Sequence, residues 1–114
     1  MLINLNKIIL IIFFLTLITN SFAGDLKLGK ETAQTICASC HGLDGVSSSA
    51  GNSALIPNIT AQDKGYLVSR LKDYKSGKIE HPQMSLIAQM LSEEDIENVS
   101  EWYSSIIIKI ELPQ

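Results

Sequence analysis

The chain is poor in several residue types, and each shortage narrows what the protein can be. It has two cysteines among 114 residues, so it can form at most one disulfide and cannot be a disulfide-rich scaffold. Its nine basic residues are outnumbered by twelve acidic ones, so the chain lacks the excess of basic residues that a nucleic-acid-binding domain carries. The main part of the chain lacks convincing strand patterns, internal repeats and a domain linker. These absences favour one small all-α domain.

One long apolar run lies near the N-terminus. Lys7 precedes apolar residues 8–18, and residues 21–23 read Ser-Phe-Ala, a small-x-small cleavage site. The apolar run is roughly half of the ~20 residues that a membrane-spanning helix needs. We therefore predict that residues 1–23 are a cleaved secretory signal peptide, and that residues 24–114 form one exported domain with no stable membrane span.

Both cysteines fall within one five-residue stretch. Cys37-Ala38-Ser39-Cys40-His41 has the C-x-x-C-H pattern of c-type haem attachment. Two thiols three positions apart can each form a thioether with one haem vinyl group, and the adjoining imidazole can bind the iron as proximal ligand. The pattern predicts one covalently bound haem c. The haem would also fill the core of a domain that buries only about 60–65% of its unfolded surface.

Two other uses of the cysteine pair stay open from the residues alone. A C-x-x-C pair can be a disulfide or a thiol oxidoreductase, although a thioredoxin-like protein would carry it beside a βαβ pattern. A zinc site would draw on Cys37, Cys40, His41 and His81, whose spacing does not match the usual four-ligand sets.

Apolar spacing and capping residues predict the helices. We expect a first helix over residues 27–40, a second over 64–76 that stops at Gly77, and a short third helix over 86–91. Ser92 and the acids after it indicate the start of a last helix. Its expected buried face comprises Ile96, Val99, Trp102, Tyr103 and Ile106. We expect the isoleucine-rich tail beyond it to pack against the domain.

Several of these residues together match one family. Gly29 lies eight residues before Cys37, residues 40–45 read C-H-G-L-D-G, and Trp102 stands in the last helix. In these features the chain resembles the single-domain class I c-type cytochromes of the bacterial periplasm, especially the cytochrome c4 and c553 groups. The resemblance covers residues 24–114. It implies an all-α cytochrome c fold of about four helices around one covalent haem, a periplasmic location, and contact between Gly29 and Trp102.

The resemblance also implies roles outside the pentapeptide. Pro57 stands where the family's proline carbonyl accepts a hydrogen bond from the proximal histidine, which would orient His41 and raise its basicity. Ala61 replaces a glycine that often follows this segment. Met84, seven residues before Leu91, stands at the position of the distal iron ligand.

Two other side chains compete with Met84 for the distal position. His81 is the stronger alternative, because imidazole binds iron well and Pro82 would stiffen its loop. Met90 lies within the predicted short helix, where we expect it to fill the core. Histidine–methionine ligation raises the haem potential and leaves no open iron site, so it favours an electron carrier over an iron-centred catalyst.

The sequence thus predicts a one-electron carrier without catalytic residues, whose partners are redox proteins. One alternative is the electron-accepting cytochrome subunit of a flavoprotein sulfide dehydrogenase, because residues 75–92 are similar to that subunit of flavocytochrome c. Another is a haem enzyme or gas sensor with an open iron. Basic residues in 64–78 and acidic residues in 93–101 offer a way to orient a partner, although solvated helix faces are the stronger explanation.

Overall fold

All regular secondary structure in the computed structural model is helical within the residues it describes, 23–47 and 55–114. The helices are α1 (Leu26–Thr32), α2 (Ala38–His41), α3 (Lys64–Ser76), α4 (Met84–Met90) and α5 (Glu93–Ser104). A π-helical turn, Ala33–Cys37, joins α1 to α2 without a break. The prediction of an all-α fold with about four helices is therefore confirmed. The predicted signal peptide, except for Ala23, lies outside the described residues.

Side-chain caps set the starts of three helices, and a glycine sets the end of one. Asp25 begins α1 by accepting hydrogen bonds from two backbone N–H groups, and Asp63 begins α3 by accepting one from Tyr66. Gly77 ends α3 as predicted, in the left-handed conformation (φ 76°) that glycine adopts without strain. Ser92 and Asp95 form a capping box at the start of α5, where the sequence places it.

The short helix differs from its prediction. It begins at Met84 rather than at Leu86, so Met84 is its first residue and does not lie in the preceding turn. The expectation that Met90 fills the core is wrong, because its side chain is 67% exposed. Ala88 and Leu91, at 0% and 1% exposure, supply the buried side of this region.

The first helix of the domain, α1, packs against the last helix, α5. Gly29 makes this close crossing possible, because a Cβ there would lie 2.1 Å from the Asn98 backbone oxygen and 3.1 Å from the Trp102 Cβ. The Asn98 side chain also accepts a hydrogen bond of 2.7 Å from the Asp25 backbone N–H. The expected proximity of Gly29 and Trp102 is thus present.

A small core joins the first helical run to α3 and α5. Its buried members are Ala33, Leu67, Val99 and Tyr103. Cys37 packs against this cluster from the end of the π turn. The cysteine predicted to attach the haem therefore borders the core of the domain.

The C-terminal tail leaves the domain after Ile106, which packs against the core. Ile107 and Ile110 are 89% and 79% exposed, so the expectation that the tail packs against the domain is wrong for these side chains. The part of the chain that the structure describes contains no helix with the length and apolar character to cross a bilayer.

Candidate haem-attachment site

The C-x-x-C-H residues lie at the end of the first helical run. Cys37 is the last residue of the π turn, and Cys40 and His41 belong to α2. The Ala38 N–H bonds to the carbonyl of Ala33, five residues back, which widens the helix by one residue at this point. Such single π turns are frequent at functional sites. No sequence pattern had indicated this one.

The two cysteines are free thiols in different surroundings. Cys40 is exposed, whereas Cys37 is half-buried against the core. Burial raises the pKa of the Cys37 thiol to about 11. A thiol-redox centre works through a thiolate and so needs a lowered pKa, whereas a thioether bond to a haem removes the ionisable proton altogether. Cys37 therefore lacks the surroundings of an activated redox thiol, and its place against the core suits a fixed attachment point.

The His41 imidazole is oriented by the loop that contains Pro57. Its Nδ1 lies 2.9 Å from the Pro57 carbonyl oxygen. A carbonyl only accepts hydrogen bonds, so Nδ1 carries the ring proton and Nε2 retains its lone pair. Nε2 is therefore the nitrogen that can bind a metal, and the bond at Nδ1 increases its basicity.

Two aromatic side chains of α5 hold the backbone just after His41. The Trp102 Nε1–H donates to the Leu43 carbonyl (3.0 Å), and the Tyr103 hydroxyl donates to the Gly42 carbonyl (2.9 Å). The sequence prediction placed both residues on a buried face, with Trp102 also against Gly29, but it did not include these bonds. A signal was present, because a buried tryptophan or tyrosine needs a partner for its polar atom.

The segments that follow His41 and Pro57 are bonded to each other. The Ile59 N–H donates to the Gly45 carbonyl (2.8 Å), and the Thr60 hydroxyl donates to the Asp44 carbonyl (2.6 Å). Ala61 closes this loop in the left-handed conformation (φ 53°), and its N–H donates to the Tyr103 carbonyl. These bonds fix the loop that presents the Pro57 carbonyl to His41.

The second histidine has the opposite arrangement. The His81 Nδ1 accepts hydrogen bonds from the backbone N–H groups of Met84 (3.2 Å) and Gln83 (3.3 Å). Backbone N–H groups only donate, so Nδ1 carries the lone pair and the proton of the neutral ring is on Nε2. Met84, half-buried at the start of α4, lies on a helix that packs against α3.

The donor set fits a covalently bound haem. It comprises two thiols three positions apart, a neighbouring imidazole with a free Nε2, and the Met84 thioether on a separate helix. Within residues 23–47 and 55–114, histidine, cysteine and acidic side chains form no group of three or more that would suit a metal ion. The zinc alternative gains no support there.

The basic and acidic runs noted in the sequence face each other across α3 and α5. The Lys64 ammonium lies 2.8 Å from a Glu101 carboxylate oxygen, and this hydrogen bond raises the pKa of Lys64. Lys72 lies 3.3 Å from Glu93 and 3.6 Å from Glu97. These ion pairs connect the two helices to each other. Their charges are therefore partly neutralised within the domain.

Together, the helices and the donor set define a small all-α domain built to carry a covalently attached haem. The Cytochrome c family model matches residues 26–106, and the chain belongs to the cytochrome c family. Membership of this family implies a covalent haem c and a role in electron transfer. The tail beyond Ile106 lies outside the matched region.

Two curated relatives are similar over most of the domain. Cytochrome c-554(548) of Halomonas halodenitrificans is 38% identical over 86 residues, which are 73% of this chain and 98% of the relative. The cytochrome subunit of sulfide dehydrogenase from Chlorobaculum tepidum is 33% identical over 76 residues, which are 67% of this chain and 64% of the relative.

A solved structure supports the same fold. The chain is similar to reduced recombinant cytochrome c4 from Pseudomonas stutzeri with a TM-score of 0.64 and 28% sequence identity. The similarity covers 75% of this chain and 47% of the cytochrome c4 chain, so this chain spans about half of that protein. The predicted resemblance to class I c-type cytochromes is confirmed.

Proposed function

We propose that the protein is a periplasmic monohaem cytochrome c that carries one electron at a time between redox partner proteins. The observation that carries the proposal is the His41 imidazole, whose Nδ1 donates to the Pro57 carbonyl and whose Nε2 is left free beside the two thiols. Membership of the cytochrome c family supports the proposal, and the predicted signal peptide supports the location.

Each residue of the site has one task. Cys37 and Cys40 would hold the haem through thioether bonds, His41 would bind the iron through Nε2, and Met84 would bind it through sulfur. When bound, the haem supplies the reversible one-electron couple of its iron. The Pro57 carbonyl keeps the His41 ring in one orientation and one tautomer.

Met84 is a better distal ligand than His81 in this arrangement. The His81 Nδ1 is occupied by two backbone N–H groups, and its Nε2 carries the proton. Binding iron through His81 would require a change of tautomer or rotation of the ring. Either change would forfeit hydrogen bonds that contribute about 0.5–1.5 kcal/mol each. With His41 and Met84 as its protein ligands, the haem iron would have no open site for a substrate.

A second assignment is supported by one relative. The similarity to the cytochrome subunit of sulfide dehydrogenase favours a role as the electron-accepting subunit of a flavoprotein enzyme, with catalysis in the partner. Co-purification with a flavoprotein, and haem reduction by sulfide only in its presence, would establish that role. A free carrier would instead purify alone and exchange electrons with several partners.

Replacement of the distal ligand tests the site directly. In Met84→Ala we expect the ferric absorption spectrum to lose the band that a methionine–iron bond produces. The ferrous protein should bind carbon monoxide readily. The reduction potential should fall by on the order of 0.1 V, since axial ligands set haem potentials over a range of about 0.8 V.

The matched control is Met90→Ala, which removes a methionine that is 67% exposed from the other end of the same helix. Its spectrum and potential should equal those of the wild type. An unchanged spectrum in Met84→Ala would overturn the assignment of Met84. Tight carbon monoxide binding by the wild type would favour the open-iron alternative.

A further inference from the structure

A closed group of hydrogen bonds surrounds the start of α4. The His81 backbone N–H donates to the Ser85 hydroxyl (2.9 Å), which in turn donates to the Ile79 carbonyl (3.4 Å). The His81 Nδ1 accepts from the Met84 and Gln83 N–H groups. The His81 backbone and ring together thus link Ile79 to the first residues of α4.

The ring takes the place of an ordinary helix cap. The residue that precedes α4, Gln83, makes no capping hydrogen bond with its side chain. The first N–H groups of a helix need acceptors, and here the imidazole of His81 supplies one for the first residue, Met84. The position of the Met84 backbone thus depends on the ring.

The ring is itself held against α3. The Tyr74 and His81 rings meet edge to face, with centroids 5.9 Å apart and an interplanar angle of 68°. At the other end of α4, the Lys75 ammonium donates to the Leu91 carbonyl. Tyr74 and Lys75 are neighbours on α3, so one short stretch of α3 anchors both ends of α4.

From these contacts we infer that His81 is a positioning residue that holds Met84 in place as the distal iron ligand. The inference rests on the proposed function. It assigns to His81 a role different from direct iron ligation. The Nδ1 lone pair is used to accept the backbone hydrogen bonds, and Nε2 carries the proton. Loosening the His81 cap should let Met84 leave the iron more often, while the ligand itself stays the same.

A matched pair of variants of the haem-loaded protein tests this inference. His81→Leu keeps a similar volume without an acceptor, whereas His81→Asn offers an oxygen acceptor of the kind preferred at helix starts. In His81→Leu we expect the affinity of the ferrous protein for carbon monoxide to rise about fivefold, the factor that corresponds to loss of one helix cap. In His81→Asn the affinity should return to within about twofold of the wild type, because the cap is restored.

The outcomes separate the inference from the proposed function. If Met84→Ala changes the spectrum and His81→Leu leaves the carbon monoxide affinity unchanged, only the role of His81 is overturned. If His81→Leu abolishes the distal-ligand signature and Met84→Ala does not, His81 is the ligand, and both the positioning role of His81 and the assignment of Met84 fail.

A measurement on the wild-type protein tests the inference without any substitution. Nitrogen-15 NMR of the reduced, haem-loaded protein should show Nδ1 of His81 unprotonated and Nε2 protonated. A protonated Nδ1, or either nitrogen bound to iron, would overturn the inference.

Discussion

The two sides of the proposed haem site are held by different kinds of contact. On the attachment side, residues 40–46, the bonds come from Trp102 and Tyr103, which lie 59 and 61 positions away from the residues they hold. On the Met84 side, residues 79–92, the bonds around His81 span only two to six positions. The attachment side is therefore tied to the last helix, whereas the Met84 side is held by short-range bonds and by the neighbouring helix α3.

This difference has a consequence for dynamics. Parts of a protein that rest on few and local bonds open with a smaller free energy than parts tied into the core. We expect His41 to stay oriented until the domain unfolds, and Met84 to be released in a smaller and earlier opening. The variants below change one side at a time.

The largest effect should come from the helix crossing behind the attachment side. Gly29→Ala would put a Cβ 2.1 Å from the Asn98 backbone oxygen, and overpacking of this kind costs about 1–3 kcal/mol or more. Chemical denaturation should show a lower free energy of unfolding for the whole domain. The ferric spectrum of the folded protein should keep the band of the methionine–iron bond.

Gly65→Ala is the matched control for that change. A Cβ at Gly65, in the first turn of α3, would meet only an Asp63 side-chain oxygen at 3.2 Å. Because alanine is a better helix former than glycine, we expect stability to stay within about 1 kcal/mol of the wild type. Equal losses in the two variants would mean that the crossing at Gly29 does not limit stability.

A smaller effect should follow from loss of one distant bond on the attachment side. Trp102→Phe removes the indole donor to the Leu43 carbonyl, and loss of this part-buried hydrogen bond should cost about 0.5–1.5 kcal/mol. The loss should appear in global unfolding, with the carbon monoxide affinity of the ferrous protein unchanged. A rise in that affinity, without a loss in global stability, would show that the two sides are coupled and break the distinction between them.

The smallest expected effect is an increase in stability. Ala61 adopts φ 53°, a conformation that costs a non-glycine residue roughly 1–2 kcal/mol. A glycine would avoid this cost, but part of the gain would be lost because glycine has more conformational freedom in the unfolded chain. We expect Ala61→Gly to raise the free energy of unfolding by up to about 1 kcal/mol. Thermal unfolding measures the change, and a decrease would mean that Ala61 is not strained.

Local signals made much of the fold predictable. The bounds of α3, its glycine stop and the start of α5 all depend on capping residues that act within a few positions. The proximity of Gly29 and Trp102 came from the family resemblance, as did the approach of the Pro57 carbonyl to His41. Both depend on distant parts of the chain, which periodicity alone cannot bring together.

Each wrong or missing prediction has its own physical cause. The start of α4 was misplaced because a histidine ring, rather than a serine or aspartate, accepts its first N–H groups. Met90 and the tail were expected to be buried from their hydrophobicity, which says nothing about whether a neighbouring element is present to cover them. The ion pairs between α3 and α5 depend on how two helices dock, and so no local pattern could show them.

Those ion pairs bear on how the protein meets its partners. Two opposite charges a few ångströms apart produce a field that decays faster with distance than that of either charge alone, and salt screens what remains within a Debye length of about 8 Å. Lys64 and Lys72 are thus poorly placed to steer a distant protein towards the haem. We expect these two lysines to contribute little to the dependence of encounter rates on ionic strength, and to act on orientation only after first contact.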